Sequence, residues 1–155
     1  MTNLDLKHIR GIADYQFGPG SGEALFPEGI TVERSKRTGK IRFVKIDERL
    51  LAALRPTDGM FTLSIYGAER LISGSCTLDY IVTVLDDVAD VIAEGKNVFA
   101  KHVVDAGEKI RPGDEVVIVN SEKKVLAVGR ALLRREEILA FGVGVAVRTR
   151  RGRRG

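Results

Sequence analysis

The chain has 155 residues, 44% of them hydrophobic and 30% charged, with a single cysteine and a formal net charge of +4. That balance is globular and excludes a disordered chain. The lone thiol, Cys76, excludes an intrachain disulfide and a cysteine-based zinc framework. No apolar run reaches the length of a signal peptide or a membrane span, so a reducing, cytoplasmic setting without a membrane partner is expected. Charge is unevenly spread. Residues 78–95 hold five acids and no Lys or Arg, whereas residues 96–155 hold 14 bases against seven acids. A concentration of that kind either attracts polyanions at long range or only solubilises a frayed tail.

Leu6, Ile9, Ile12, Ala13 and Phe17 fall at helical spacing, with Thr2 and Asp5 as a capping box and Gly18-Pro19-Gly20 as the stop. A short apolar island, Ala24 to Phe26, precedes Pro27. Residues 30–34 and 40–46 predict a hairpin around the turn Lys36-Arg37-Thr38-Gly39. Asp47 is expected to cap a helix through Leu50, Leu51 and Leu54 as far as Pro56. Thr57-Asp58-Gly59 turns into a strand over 60–65, and residues 67–72 predict a short helix ending at the boundary Ser73-Gly74-Ser75. A strand over 80–85 follows. Asp86 is then expected to cap a helix through Val88, Val91 and Ile92 that closes at Gly95. Strands are predicted over 98–104, 115–119, 125–133 and 143–150, with a short helix over 135–140. Short strands, tight turns and one helix before the last strand describe a small, partly open barrel.

Catalysis has no positive support. His8 and His102 stand apart from any Cys, His or carboxylate at zinc-ligand spacing. Cys76 has no local base, and the acidic pairs Asp86-Asp87 and Glu136-Glu137 each open a helix, where the dipole favours them. The glycines at 18–22 do not follow a strand, and no phosphate-binding Gly-Lys-Ser/Thr is present, so no cofactor is expected. Three segments suit an anionic partner instead. The first is Lys101-His102 beside Lys96. The second is the turn Lys109 to Asp114, where Gly113 would let backbone N–H groups approach a phosphate between Lys109 and Arg111, or which is a plain turn feeding the next strand. The third is Gly129-Arg130 with Arg134 and Arg135, a strand glycine marking the close approach of another backbone.

At these residues the chain resembles a known family. Val98-Phe99-Ala100-Lys101, Ile110 to Val116, Leu126 to Ala131 and Gly144 to Arg148 look like a PUA domain, an RNA-binding pseudo-barrel. Ile12 to Gly18, Ser35 to Arg42 and Asp58 to Leu63 resemble the domain that precedes it in archaeal archaeosine tRNA-guanine transglycosylases. Those enzymes also carry a catalytic β/α barrel, which needs about 250 residues; this chain has neither that length nor the zinc-site cysteines. The resemblance implies an α+β chain: a mixed lobe over 1–76, a strand–helix connection over 77–95, a PUA domain over 96–152 and a basic tail over 153–155. It implies a non-enzymatic binder of tRNA in the acceptor-stem region, acting alone or as the non-catalytic subunit beside a separate transglycosylase chain. The rival is a protein-interaction subunit of an RNA-modification or ribosome-biogenesis complex. The expected RNA-contacting residues are Lys101, Lys109, Arg111, Gly113, Gly129, Arg130, Arg134, Arg148, Arg150 and Arg151, with the basic hairpin (Arg34, Lys36, Arg37, Lys40, Arg42, Lys45) either extending the footprint or forming a solvated face.

Overall fold

The computed structural model describes residues 1–74 and 79–155, so Cys76 and the end of the Ser73-Gly74-Ser75 boundary lie outside the described residues. The chain divides into two compact units, Met1–Thr77 and Leu78–Gly155.

In the first unit, α1 (Asn3–Phe17) starts at the expected capping box. Thr2 Oγ1 accepts the Asp5 N–H at 3.0 Å and the Asp5 carboxylate accepts the Thr2 N–H at 3.2 Å. The apolar island is a short helix, α2 (Ser21–Leu25). It packs tightly against α1, because a Cβ at Gly22 would stand 2.4 Å from the Arg10 carbonyl oxygen. The sheet is an antiparallel meander of β1 (Thr31–Arg34), β2 (Ile41–Ile46), β3 (Arg49–Leu54) and β4 (Phe61–Leu63), in that spatial order. The helix α3 (Ile65–Gly74) follows, and the Ser64 hydroxyl caps it by accepting the Gly67 N–H at 2.8 Å. Ile9, Phe17, Leu25, Phe26, Val44, Leu51 and Phe61 are buried, with the Phe26 and Phe61 rings 5.0 Å apart. β4 is an edge strand, and its free backbone is covered by the Gln16 amide. Gln16 Oε1 accepts from Phe61 N at 2.7 Å, and Gln16 Nε2 donates to Phe61 O at 2.9 Å.

The helix expected after Asp47 is strand β3. Asp47 (φ 48°) and Glu48 (φ 67°) both take left-handed conformations, and Ile46 pairs with Arg49 across them. That is a two-residue hairpin turn, whose geometry matches the twist of the flanking strands. Asp47 therefore turns a hairpin rather than capping a helix, and Leu51 and Ala52 enter the core from a strand. The register of β2 is irregular. Glu33 pairs with Phe43 but Arg34 pairs with Ile41, so Arg42 is an extra residue. The shift brings Ile41 and Val44, three positions apart, to the buried side.

The second unit is a nearly closed six-stranded sheet in the order β6-β10-β9-β8-β5-β7. Its strands are β5 (Ile81–Val84), β6 (Val98–Phe99), β7 (Val103–Ala106), β8 (Glu115–Val119), β9 (Val125–Ala131) and β10 (Val145–Gly152). β5 runs parallel to β8 near the middle of the sheet. Residues 81–93, which supply β5 and the helical segment after it, belong to this unit. The strand expected over 98–104 is interrupted by a 3₁₀ turn at Ala100–His102. That corner carries the chain from one edge of the sheet to the other, which draws the two edges together. It is tied at both ends: Ala100 N–H donates to Gly144 O at 2.9 Å, and Leu85 N–H donates to His102 O at 3.0 Å. A short 3₁₀ turn (Asp86–Val88) leads into α4 (Ala89–Ala93), and α5 (Arg135–Phe141) precedes β10. Asp86 opens that segment without capping it. Its carboxylate accepts from the Ser121 N–H (3.0 Å) and hydroxyl (2.7 Å), bonds that hold its pKa below the usual carboxylate value. Val82, Val84, Ile92, Val116, Ile118, Leu126, Ile138 and Val147 belong to one core. Among the described residues no helix is long and apolar enough to cross a membrane.

The left-handed turn gives a stability prediction. A non-glycine residue at positive φ costs about 1 kcal/mol relative to glycine. Glu48→Gly is expected to stabilise the protein by about 1 kcal/mol, read as a rise in the denaturant midpoint with an unchanged slope. A lower midpoint would contradict the hairpin.

Candidate nucleic-acid interface

The second unit gathers its basic side chains around β9 and β10. Arg130 on β9 lies directly opposite Arg148 on β10, and Glu115 on β8 lies opposite Arg130. Residues paired in this way project from the same face, about 5 Å apart. Two like charges in that position are destabilising unless something else uses them. Arg130 and Arg148 are both exposed. Arg111 is exposed on the turn that Gly113 N–H ties to the Ala131 carbonyl at 2.7 Å, next to Arg130 in sequence. Among the described residues no acid lies within ion-pair distance of Arg111, Arg130 or Arg148.

Glu115 changes the role of one expected contact. It is 2% exposed, and Arg150 clasps it with two parallel bonds of 2.6 and 2.5 Å. A buried carboxylate needs such a partner, because isolated burial of a charge is prohibitive. The pairing is made possible by an irregularity in β10. Thr149 pairs with Gly129 and Arg151 with Val128, so Arg150 is the extra residue. Arg150 therefore serves the fold with its guanidinium, and the cationic face rests on the neighbouring arginines.

Both glycine expectations resolve inside the molecule. Gly129 does mark a close approach, but of the chain's own β10: a Cβ there would stand 2.4 Å from the Arg148 carbonyl oxygen. Gly113 (φ 96°) needs its freedom for the turn, and the space a Cβ would enter faces the Arg130 guanidinium at 3.6 Å. From Arg111 to Asp114 every backbone amide is engaged within the protein. Arg111 N–H donates to the Asp114 carboxylate at 2.9 Å, Gly113 N–H to Ala131 O, and Asp114 N–H to Arg111 O at 3.0 Å, while Pro112 has none. The amides of Arg111, Gly113 and Asp114 are therefore not available for the expected backbone clamp.

The other expected residues are scattered. Lys101 is exposed on the 3₁₀ corner, off the paired strands. Lys109 sits 3.4 Å from Asp79, and Arg134 3.7 Å from Glu137, both as exposed pairs of small energetic weight. Arg151 is exposed on β10 without an ion-pair partner among the described residues. The 153–155 tail is not frayed. Arg153 N–H donates to Leu126 O, its Nε donates to Val125 O at 2.7 Å, and Arg154 N–H donates to Ala93 O. His102 meets Phe99 edge-on, and no group of three or more His, Cys, Asp or Glu could hold a metal among the described residues. A small cleft of about 220 Å³ is flanked by Asp79, Asp105 and Glu108, two of which Arg135 already bridges.

A six-stranded pseudo-barrel closed through a 3₁₀ corner, with cations on its β9–β10 face, is a PUA domain, and the PUA family model matches residues 80–153. The first unit matches the model described as the patch-forming domain C2 of tRNA-guanine transglycosylase over residues 7–76. The chain thus carries these two domains and is homologous to the C-terminal region of archaeal tRNA-guanine(15) transglycosylases. It is 43% identical over 148 residues to that enzyme of Methanothermobacter thermautotrophicus, which covers 96% of the chain and 23% of the relative. The Methanobrevibacter smithii enzyme is 47% identical, with 96% and 22% covered. The chain thus spans about a quarter of the length of these relatives. In fold alone it is similar to a hypothetical protein of Pyrococcus horikoshii (TM-score 0.77, 20% identity, 100% and 93% covered). It is similar in the same way to a PUA domain protein of Thermoplasma acidophilum (TM-score 0.71, 22% identity, 98% and 91% covered).

The division of labour among the arginines is testable by stability alone. Arg150→Ala removes the bidentate partner of the buried Glu115 carboxylate, at a cost of about 3 kcal/mol, whereas Arg148→Ala is expected to stay within about 0.5 kcal/mol of the parent. Equal midpoints for the two variants in denaturant titrations would contradict the assignment.

Proposed function

We propose that the chain is a non-catalytic RNA-binding protein that holds tRNA in the acceptor-stem region through the β9–β10 face of its PUA domain. The observation that carries this reading is the directly opposed pair Arg130 and Arg148, with no acid in ion-pair distance among the described residues and flanked by Arg111. Such a pair costs stability in the free protein, and a phosphate placed between the two guanidinium groups relieves that cost. The PUA domain and the relation to tRNA-guanine(15) transglycosylases support RNA, and tRNA in particular, as the partner. A duplex stem offers shape, phosphates and 2′-hydroxyls rather than base edges, which suits a side-chain face without a built pocket. Arginine fits the task because its planar fork binds two phosphate oxygens at once. The protein works alone or as an accessory subunit beside a separate catalytic chain.

A second reading, an assembly subunit that meets another protein, draws on one observation. Phe99 (46% exposed), Phe141 (64%) and Val143 (71%) are exposed where α5 leads into β10 and β6 pairs with it. Pull-down with and without nuclease separates the two: a partner retained after nuclease treatment favours protein assembly, and one lost with the RNA favours direct RNA binding.

In a filter-binding titration with tRNA, affinity is expected to fall steeply with salt. The double variant Arg130→Ala/Arg148→Ala should weaken it by about tenfold or more and lower the log–log salt slope by about two, one for each phosphate released. A flat salt response, or a double variant that binds like the parent, would count against the proposed face.

A further inference from the structure

The first unit contains a cleft with a volume of about 830 Å³, bounded by the β1–β2 hairpin end, the β3–β4 turn and the first turns of α1. Five bases and two acids line it. Both acids are already engaged: Asp5 holds Arg34 at 2.8 Å and Asp58 holds Arg55 at 2.8 Å. Arg34 also donates to Gly39 O at 2.9 Å, so these two arginines are fixed as walls. Arg37, Lys40 and Arg42 remain, with no ion-pair partner among the described residues. Arg42 is the extra residue of β2, half-buried, and its Nε is buried without a hydrogen-bond partner. A buried donor left unmet is costly unless a ligand or water satisfies it. Beside these cations the lining is apolar at Ile12, Leu54 and Pro56.

We propose that this cleft is an RNA subsite that receives one unpaired nucleotide, its phosphate held by Arg37, Lys40 and Arg42 and its base against Ile12, Leu54 and Pro56. The inference rests on the reading that the chain binds RNA and adds a second site of a different kind. Charge identifies the ligand as an anion, and the volume falls in the range of about 300–1,000 Å³ that holds a small molecule. An A-form duplex presents a convex ridge of phosphates and cannot enter a concavity of that size, whereas an unstacked nucleotide can. Apolar contact with the base does not read its edge, so the site accepts any base.

The test uses the full chain and two labelled probes with equal numbers of phosphates, an unstructured oligouridylate and a blunt RNA duplex, followed by fluorescence anisotropy. Arg37→Ala/Lys40→Ala/Arg42→Ala is expected to weaken oligouridylate binding by about tenfold or more and to lower its salt slope by about 0.7, for the one phosphate that the site neutralises. Duplex affinity should not change. Because Arg42 is half-buried, Arg37→Glu/Lys40→Glu, confined to exposed positions, repeats the test without touching the sheet and should give the same selective loss. Equal losses for both probes, or none for oligouridylate in the Arg37→Glu/Lys40→Glu variant, would overturn the subsite. Tighter binding of labelled oligoglutamate than of oligouridylate, abolished by the same variant, would overturn it in favour of an acidic peptide. Arg130→Ala/Arg148→Ala keeps the two readings apart. If that variant binds duplex like the parent, the β9–β10 face fails, and the cleft is judged on oligouridylate alone.

Discussion

Glu115 stands at the start of a fully buried strand, where a carboxylate must find a cation or forgo its charge. Arg150 supplies that cation from the far side of β9, and the bond links β8 to β10 across the strand between them. The consequences spread through the second unit. β10 must carry an extra residue to aim Arg150, and its backbone then closes on β9 so tightly that only glycine fits at 129. Arg148 and Arg130 are left opposite one another on the exposed face, with the remaining acid of their row already neutralised.

Closure of the sheet depends on a break in regular structure. Had residues 98–104 continued as one strand, β6 and β7 would lie in line at one edge. The 3₁₀ corner at Ala100–His102 places them at opposite edges instead. Its free groups are met by Gly144 O and Leu85 N–H, so the corner leaves little unsatisfied backbone. The same device moves Lys101 out of the strand and away from the arginine row.

The two units treat positive charge differently. In the second, the unpaired arginines stand on a strand face, which suits a convex partner. In the first, an irregular β2 and the ends of two hairpins surround a hollow, and ion pairs at its edge fix the walls while three cations have no ion-pair partner among the described residues. Surface pairs of this sort add little stability. Their effect here is to decide which cations are available.

Much of the architecture was legible in the sequence. The capping box of α1, the strands over 81–84, 115–119 and 125–131, and the helix before β10 follow from periodicity and turn residues. The motifs also sufficed for the PUA resemblance and for Arg111, Arg130 and Arg148 as exposed cations. Asp47 misled because an acid before Leu50, Leu51 and Leu54 reads equally as a helix cap or as a hairpin turn. Local propensity does not separate the two, and pairing of β3 with β2 and β4 does. Arg150 and the Gly113 amide looked available because sequence does not show which partner a donor will meet. What the sequence determined by itself is the identity and order of the elements, since hydrophobic period and turn chemistry act over a few residues. Which cations face outward unpaired, which is engaged by Glu115, and where a cleft forms were decided only by tertiary structure, because hydrogen bonds and ion pairs join residues far apart in the chain and each group engaged within the fold is lost to a ligand.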